Sequence, residues 1–343
     1  MATTEDGVSM PKRVRNIAEL AKIAGVSAGT VSRALAGKAL VSTETRERIQ
    51  ALAREYGFRP NQMASKLRTQ RTGVIGVVIP LGHDRGQHIS DPFFMTMLGH
   101  LADGLTENGY DLMLSRVVPD ADDWLDRIVD SGMLDGVLVI GQSDQVDTLE
   151  RVAAHYRPLV VWGEANMGQR HCAVGSDNRV GGRLAAQRLI DNGRRRLAFV
   201  GDIQPLETAQ RYQGVCDAAV AAGLGPVDVI ATRFTSDEAA GVLTAFLSEG
   251  DERINGMICA SDVIAMSVLR VLADHDLKVP GDIAVVGFDD LPIATQTVPR
   301  LTTVRQNIAG GAGAMIDALF ARLGGRETAS VIMMPELVVR DSA

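Results

Sequence analysis

Polar residues follow the ends of several short apolar segments in residues 72–343. Carboxylates accept hydrogen bonds and a guanidinium donates them in a fixed fork, a pattern that suits the vicinal hydroxyls of a sugar. Taken singly, Asp177 or Ser261 could simply cap the helix that follows it, and Phe234 could equally be a core residue at a strand end. Their joint recurrence predicts a polyol-binding site with two phenylalanines as apolar walls. The candidate residues are Asp91, Phe94, Asp177, Arg211, Phe234, Ser261, Asp262 and Asp289.

Alternating strands and helices are expected to position these residues. Eight apolar segments, from 74–79 to 283–288, have the length and composition of buried strands, and amphipathic stretches such as 93–108 and 261–275 lie between them. This alternation predicts parallel sheets with helices on both faces. About ten strands are too many for one sheet of this length, so we expect two lobes. Ligands of such sheets bind at the carboxyl ends of the strands, where the polar residues occur.

Signals for catalysis or metal binding are weak. Residues 25–29, GVSAG, match the G-x-S-x-G nucleophile pattern, but they lie between two helical segments instead of between a strand and a helix. The 6 histidines and 3 cysteines show no metal-ligand spacing. No acid–base pair or activated nucleophile can be placed in the cleft. We therefore expect no metal, no cofactor and no enzymatic activity.

The first 72 residues are basic although the whole chain is acidic. They contain 13 Lys and Arg against 6 Asp and Glu, a net charge of +7, whereas the remaining residues contain 22 basic and 36 acidic side chains, a net charge of −14. This split is typical of a polyanion-binding module joined to a separate domain. An aromatic content of 4% argues against a stacking surface for single-stranded nucleic acid.

The sequence also bears on compartment. No uncharged apolar run reaches the roughly 18 residues that a membrane span needs. The residues after Met1 lack the basic and apolar segments of a secretory signal. Three widely spaced cysteines argue against a disulfide framework and fit a reducing environment. We expect a cytoplasmic protein without a membrane partner.

Three short helices are predicted in the basic segment. Asn16 begins a capping-box pattern ahead of a first helix that ends at Gly25. Ser27 can cap a second helix over residues 28–36, and Ser42 can cap a third. Two short helices joined by a tight turn and braced by a third indicate a helix-turn-helix.

This segment closely resembles the DNA-binding headpiece of the lactose-repressor/galactose-repressor (LacI/GalR) family of transcriptional regulators. The resemblance rests on residues 16–33, NIAELAKIAGVSAGTVSR, and continues through 41–49, VSTETRERI, and 56–61, YGFRPN. It extends to residues 335–340, PELVVR, and so covers the whole chain. It implies an all-α helix-turn-helix domain with a hinge helix, followed by an α/β periplasmic-binding-protein-like effector domain with two lobes and three crossovers.

The resemblance implies that the second helix lies in the major groove of double-stranded operator DNA. Ala28 and Gly29 would then face the bases first, and Arg33 could donate two hydrogen bonds to guanine, a contact worth roughly 1–3 kcal/mol of discrimination. Many family members carry larger or polar residues in place of Ala28 and Gly29, so the operator sequence cannot be read from this chain. The side chains suited to phosphate contacts are Asn16, Ser27, Thr30 and Ser32, and Ser27 serves equally well as a cap.

Residues 61–68, NQMASKLR, resemble the hinge helix that folds in the minor groove when two chains meet on the operator. DNA contacts are thereby assigned to Asn61, Ala64 and Leu67, and Leu67 matches the wedge that unstacks a central base step. The alternative for Leu67 is a core position in a linker helix. The expected domains are the helix-turn-helix at 12–60, the hinge and linker at 61–71 and the effector and dimerisation domain at 72–343, with a first lobe of about 72–192 plus 305–335 and a second lobe of about 193–304 plus the C-terminal end.

The resemblance also implies roles within the candidate polyol site. Arg211 and Asp289 match the residues with which family members grip their ligand. Ser261 and Asp262 match a strand-end pair that often touches the ligand, although some sugar repressors have Asn at the position of Ser261. Asp91 likewise stands where Asn is common before Pro-Phe-Phe.

We therefore expect a homodimeric transcriptional repressor of carbohydrate-utilisation genes. A mono- or disaccharide bound between the lobes would control its affinity for operator DNA, and an inducer is the commoner pattern in the family. The lack of a heptad tail after Arg340 favours a dimer over a tetramer. The alternatives are a purine-responsive corepressed regulator, a transport-type sugar receptor without a DNA role, and a sugar-modifying enzyme.

Overall fold

The computed structural model describes residues 14–35, 40–58, 71–82, 86–166, 168–233, 236–248 and 254–343. The chain divides into two compact units, Met1–Thr72 and Gly73–Ala343, which we call the N-terminal unit and the body. The hinge candidates Asn61, Ala64 and Leu67 and the effector candidate Phe234 lie outside the described residues. No helix within the described ranges is long and apolar enough to span a membrane.

Three helices pack together in the N-terminal unit. Asn16 precedes the first helix and accepts the Glu19 N–H at 2.9 Å, and Gly25, with a φ of +64°, ends that helix in the left-handed region. Leu20 and Ile49 are fully buried in the shared core. The predicted helix-turn-helix is confirmed. The helices are α1 (Ile17–Ala24), α2 (Ala28–Leu35) and α3 (Thr43–Glu55).

Strands and helices alternate along the body. Each of the eight apolar segments predicted as strands overlaps one of its strands. The strands are β1 (Val74–Pro80), β2 (Asp111–Val117), β3 (Gly136–Ile140), β4 (Leu159–Trp162), β5 (Cys172–Ser176), β6 (Leu197–Val200), β7 (Asp228–Ile230), β8 (Gly256–Cys259), β9 (Ala284–Asp289), β10 (Thr302–Arg305), β11 (Val331–Met333) and β12 (Glu336–Val338). The helices are α4 (Pro92–Glu107), α5 (Trp124–Val129), α6 (Val146–Ala153), α7 (Asn178–Asp191), α8 (Leu206–Ala221), α9 (Ser236–Ser248), α10 (Asp262–Asp274) and α11 (Ile308–Leu323), with a 3₁₀ helix at Pro292–Thr295.

Two six-stranded sheets organise these elements into two lobes. The first lobe has the all-parallel order β11-β5-β4-β3-β1-β2, and the second has β12-β10-β9-β8-β6-β7, in which only β12 runs antiparallel. Leu101 of α4 and Met315 of α11 are buried against one face of the first sheet, and Trp124 and Leu149 against the other. The two-lobed α/β fold is therefore confirmed.

The predicted lobe boundary near residue 192 requires a correction. Helix α7 belongs to the second lobe, because its Ala185 and Leu189 lie in the same buried core as β6 and β8. The chain therefore passes from the first lobe to the second directly after β5. Two further crossovers follow, one from β10 into α11 and one from β11 into β12.

Helices α7 and α8 approach each other through glycines. A Cβ atom on Gly182 would lie 1.9 Å from the Arg211 carbonyl oxygen, and one on Gly214 would lie 1.9 Å from the Arg179 carbonyl oxygen. Only glycine permits backbones to come this close. The contact sets the position of α8, and hence of Arg211, relative to the first crossover.

We predict that Gly182→Ala lowers the free energy of unfolding by about 1–3 kcal/mol, because the added methyl group must push α7 away from α8. Gly241→Ala is the matched control, since Gly241 lies in α9 with open space around its Cα. That control should raise stability by up to about 1 kcal/mol through helix propensity. Chemical denaturation of both variants measures the difference, and equal effects would contradict the close approach.

Candidate functional site

The exposed face of α2 presents the residues predicted to read DNA. Ser27, Ala28, Gly29 and Arg33 are exposed, and Thr30 is half-buried. The Arg33 Nε donates to the Gly29 carbonyl oxygen at 3.1 Å, which holds the guanidinium along the helix surface. Because Ala28 and Gly29 are small, the Arg33 guanidinium is the largest group on this face.

Two of the side chains predicted to contact phosphates, Asn16 and Ser27, already form hydrogen bonds within the N-terminal unit. The Ser27 Oγ accepts the Thr30 N–H at 3.1 Å, as expected of a cap. The Asn16 side chain accepts the Glu19 N–H and donates through Nδ2 to the Glu19 Oε1 at 2.8 Å. Glu19 also accepts the Arg15 N–H, so this capping box extends one residue further back than predicted. Both Asn16 and Ser27 remain exposed and can still meet a phosphate.

Ser32 is less accessible than the other DNA candidates on α2. It retains 9% of its surface exposed and is buried together with Val31 and Ala34. The helical period nevertheless places residue 32 on the same face as residues 28, 29 and 33. A phosphate contact by Ser32 therefore stays a prediction.

A cavity opens in the body at the carboxyl ends of both sheets, and its space of about 730 Å³ includes the solvent at its open mouth. Its wall includes five of the predicted effector residues: Asp91, Phe94, Arg211, Ser261 and Asp289. Six wall residues that the sequence reasoning missed are Gln87, Phe93, Ser143, Glu207, Thr208 and Gln306. The position of Phe93 next to Phe94 and of Glu207 on the same helical face as Arg211 could have indicated two of them.

Arg211 and Asp289 form a buried pair in the wall of the cavity. Arg211 is 8% exposed and Asp289 is 4% exposed, and the Arg211 Nη1 lies 3.9 Å from the Asp289 Oδ1. The Arg211 Nε donates to the Asn178 Oδ1 at 2.9 Å, Nη1 donates to the Ala260 carbonyl oxygen, and the guanidinium carbon lies 3.8 Å from the centre of the Phe288 ring. Burial lowers the Arg211 pKa although nearby carboxylates oppose this.

Asp289 is held in an unusual state. Burial raises its pKa to about 7, against the lowering effects of Arg211 and of a hydrogen bond from Gln306. Its backbone has a φ of +117°, a region that non-glycine residues rarely adopt. The next residue, Asp290, accepts hydrogen bonds from Arg305 and Arg340, which fix the turn. The Asp289 carboxyl group therefore lies at the cavity with a pKa near neutral pH, so a ligand that bonds to it can change its protonation state.

The first lobe contributes an acid and an aromatic wall. The Asp91 Oδ1 caps α4 by accepting the Phe93 N–H at 2.9 Å, and Oδ2 accepts a hydrogen bond from Gln87 at 3.1 Å. Burial raises the pKa of Asp91. The Phe93 ring centre lies 5.9 Å from that of Phe94 and 6.2 Å from that of Trp162. Flat apolar faces beside hydrogen-bonding groups suit a sugar ring.

Two predicted effector residues, Asp177 and Asp262, form hydrogen bonds that support the elements around the cavity. The Asp177 Oδ1 accepts the Val180 N–H at 2.9 Å and caps α7. Asp262 is fully buried, and its carboxylate accepts hydrogen bonds from the Thr303 hydroxyl and the Leu291 N–H, at 2.5 and 2.8 Å. Neither residue lines the cavity among the described residues. The backbone N–H of Asp262 nevertheless bonds to Asp289 and helps to position it.

Each member of the buried pair is bonded to a crossover between the lobes. Asn178, which accepts from Arg211, directly follows the first crossover and donates to the Glu164 carboxylate at 2.7 Å. Gln306 lies on the second crossover and donates to the Asp289 Oδ1 at 2.5 Å. The Ser176 hydroxyl joins the two crossovers by donating to the Gln306 carbonyl oxygen at 3.1 Å. The cavity wall and the crossovers between the lobes therefore form one hydrogen-bonded network.

Within the described residues, no three His, Cys, Asp or Glu side chains are grouped as metal ligands would be. The arrangement offers hydrogen-bond donors and acceptors, aromatic faces and a hinge, which together suit reversible binding of a polar small molecule.

Comparison with known proteins identifies the two units. Residues 16–61 match the family model for bacterial regulatory proteins of the lacI family, and residues 186–343 match a periplasmic binding protein-like domain. The transcriptional regulator CelR of Thermobifida fusca is 30% identical over 343 residues, which cover 97% of this chain and all of that protein.

Two solved structures extend the comparison. A CelR–cellobiose complex is 28% identical with a TM-score of 0.70, over 96% of this chain and 100% of the other. A Lac repressor dimer bound to operator and the anti-inducer ONPF has a TM-score of 0.84 at 20% identity, over 96% and 99%, and shows the likeness of fold. The chain therefore belongs to the lacI family of bacterial regulatory proteins and is a DNA-binding transcriptional regulator.

Proposed function

We propose that this chain represses carbohydrate-utilisation genes as a homodimer and releases its operator when a mono- or disaccharide enters the cavity of the body. The observation that carries the proposal is the bonding of Arg211 and Asp289, which line the cavity, to Asn178 and Gln306 at two interlobe crossovers. The CelR–cellobiose complex supports a saccharide as the ligand class. The cavity binds its ligand without converting it.

Operator recognition is assigned to the exposed face of α2, supported by the hinge helix. Arg33 reads guanine in each half-site, and Ala28 and Gly29 allow the helix backbone to approach the base edges closely. Asn16, Ser27, Thr30 and Ser32 contact phosphates and fix the register of the helix in the groove. Asn61, Ala64 and Leu67 complete the contact in the minor groove, with Leu67 unstacking a base step.

Ligand binding reaches the DNA through the crossovers. A saccharide that donates hydroxyl hydrogens to Asp289 and accepts from Arg211 competes with the bonds that these residues make to Gln306 and Asn178. The lobes then settle at a different angle, which changes the spacing of the two hinge helices in the dimer. Such coupling is a free energy of about 1–3 kcal/mol and acts equally on both ligands.

The role of Arg33 is tested with Arg33→Lys and Arg33→Ala on an operator selected from random duplexes. A lysine keeps the charge but lacks the planar fork that reads guanine. Both variants should lose roughly 1–3 kcal/mol of discrimination at one base pair per half-site, whereas only Arg33→Ala should reduce the salt dependence of binding. Retained base preference in Arg33→Ala, measured by fluorescence anisotropy, would assign Arg33 to the phosphate backbone instead.

The role of Asp289 is tested by the pH dependence of saccharide binding. Hydroxyl donors favour the ionised carboxylate, so binding must displace the proton that burial retains on Asp289 near pH 7. Affinity should therefore rise as the pH increases through about 7 and then level off. Asp289→Asn should bind weakly with no such rise, whereas Asp274→Asn, at an exposed ion pair with Arg270, should behave like the parent protein. A pH-independent affinity of the parent protein in calorimetry would contradict this role.

The coupling role of Gln306 is tested with Gln306→Met, which keeps the length of the side chain but cannot donate to Asp289. The ratio of operator Kd values with and without saturating saccharide should fall about fivefold, as about 1 kcal/mol for one hydrogen bond implies. Gln169→Met is the matched control, because Gln169 donates within the first lobe to His171 and Ser330. An unchanged ratio in Gln306→Met, with both ligands still bound, would remove Gln306 from the coupling.

A further inference from the structure

The charges on the cavity wall are strongly unbalanced. Among the described residues that line it, Asp91, Glu207 and Asp289 are acids and Arg211 is the one base. The base is already committed to Asn178, the Ala260 carbonyl oxygen and Asp289. A ligand therefore meets more carboxylate than guanidinium.

More acids stand directly behind the wall. The Glu164 carboxylate accepts a hydrogen bond from Asn178, and the fully buried Asp262 lies close enough to Asp289 to be coupled to it electrostatically. Burial and the neighbouring carboxylates Glu207 and Asp177 raise the pKa of Glu164. These groups behind the wall therefore supply no positive charge that could neutralise the acids of the cavity.

Two further observations concern the acids of the cavity wall. The Glu207 Oε1 is buried and finds no hydrogen-bond donor among the described residues. Asp91 stands across the cavity on the first lobe and raises the pKa of Asp289 on the second through charge repulsion. Hydroxyl groups can donate to all three carboxylates, whereas an anionic phosphate or carboxylate group on the ligand has no hydrogens to donate and repels a carboxylate that is ionised.

We propose that the cavity selects uncharged saccharides and rejects sugar phosphates and sugar acids, with Asp91 and Glu207 as the residues that decide. This inference rests on the proposed function and narrows its ligand class. Like charges brought together in a partly desolvated site are strongly disfavoured, so exclusion acts through repulsion as much as through fit. An asparagine at position 91 would cap α4 equally well, so the carboxylate there serves the charge of the cavity and not the fold.

Calorimetry with the full-length protein tests the proposal on matched pairs of probes. The pairs are glucose and glucose 6-phosphate, sucrose and sucrose 6-phosphate, cellobiose and cellobionate, and maltose and maltobionate. The uncharged member of any pair that binds should bind at least about tenfold more tightly than its anionic counterpart. In the Asp91→Asn/Glu207→Gln double variant, this preference should shrink to about threefold or less, because both substitutions keep size and remove charge.

Asp217→Asn is the matched control, since Asp217 lies on the same helix as Glu207 but pairs with Arg179 at 2.6 Å outside the cavity wall. It should keep the parent preference. An anionic probe that binds as tightly as its uncharged counterpart, or a preference unchanged in the double variant, would overturn the inference and leave the proposed function standing. Failure of every saccharide in both classes to bind would overturn the proposed function itself.

Discussion

A guanidinium and a carboxyl group buried together constrain the whole body of the protein. Removing such groups from water costs several kcal/mol for each ion unless partners replace the lost hydration. The direct approach of Arg211 and Asp289, at 3.9 Å, is too long to supply that by itself. Asn178, the Ala260 carbonyl oxygen, the Phe288 ring and Gln306 supply the rest. Because two of these partners sit at crossovers, the pair stabilises one arrangement of the lobes and is sensitive to any change in it.

The fold places this pair by backbone geometry. Glycines at the crossing of α7 and α8 bring the carbonyl oxygen of Arg211 against α7, which begins at the first crossover. The strained turn at Asp289 and Asp290 is fixed by Arg305, which ends β10 ahead of the second crossover, and by Arg340, which follows β12. Residues that line the cavity are therefore hydrogen-bonded directly to residues at the crossovers between the lobes.

Features that depend on neighbouring residues could be predicted from the sequence, whereas features that depend on packing between distant segments could not. The ends of α1 follow from Asn16 and Gly25, because caps act over three or four residues. The positions of Arg211 and Asp289 in the cavity wall follow from their place after strands. The burial of Ser32, the lobe to which α7 belongs and the framing roles of Asp177 and Asp262 depend on packing between distant segments. Gln306 lies on a crossover without periodic neighbours, so no pattern indicated it. The short strands β10, β11 and β12 were missed for the same reason.

We propose that a saccharide in the body and operator DNA at the N-terminal unit compete through one conformational equilibrium. The decisive experiment is calorimetric measurement of the saccharide Kd for the free protein and for the operator-bound protein. Linkage requires the operator to weaken saccharide binding by the same factor by which the saccharide weakens operator binding, roughly 5–150-fold. An identical saccharide Kd in the presence and absence of operator would show that the two binding sites are not coupled.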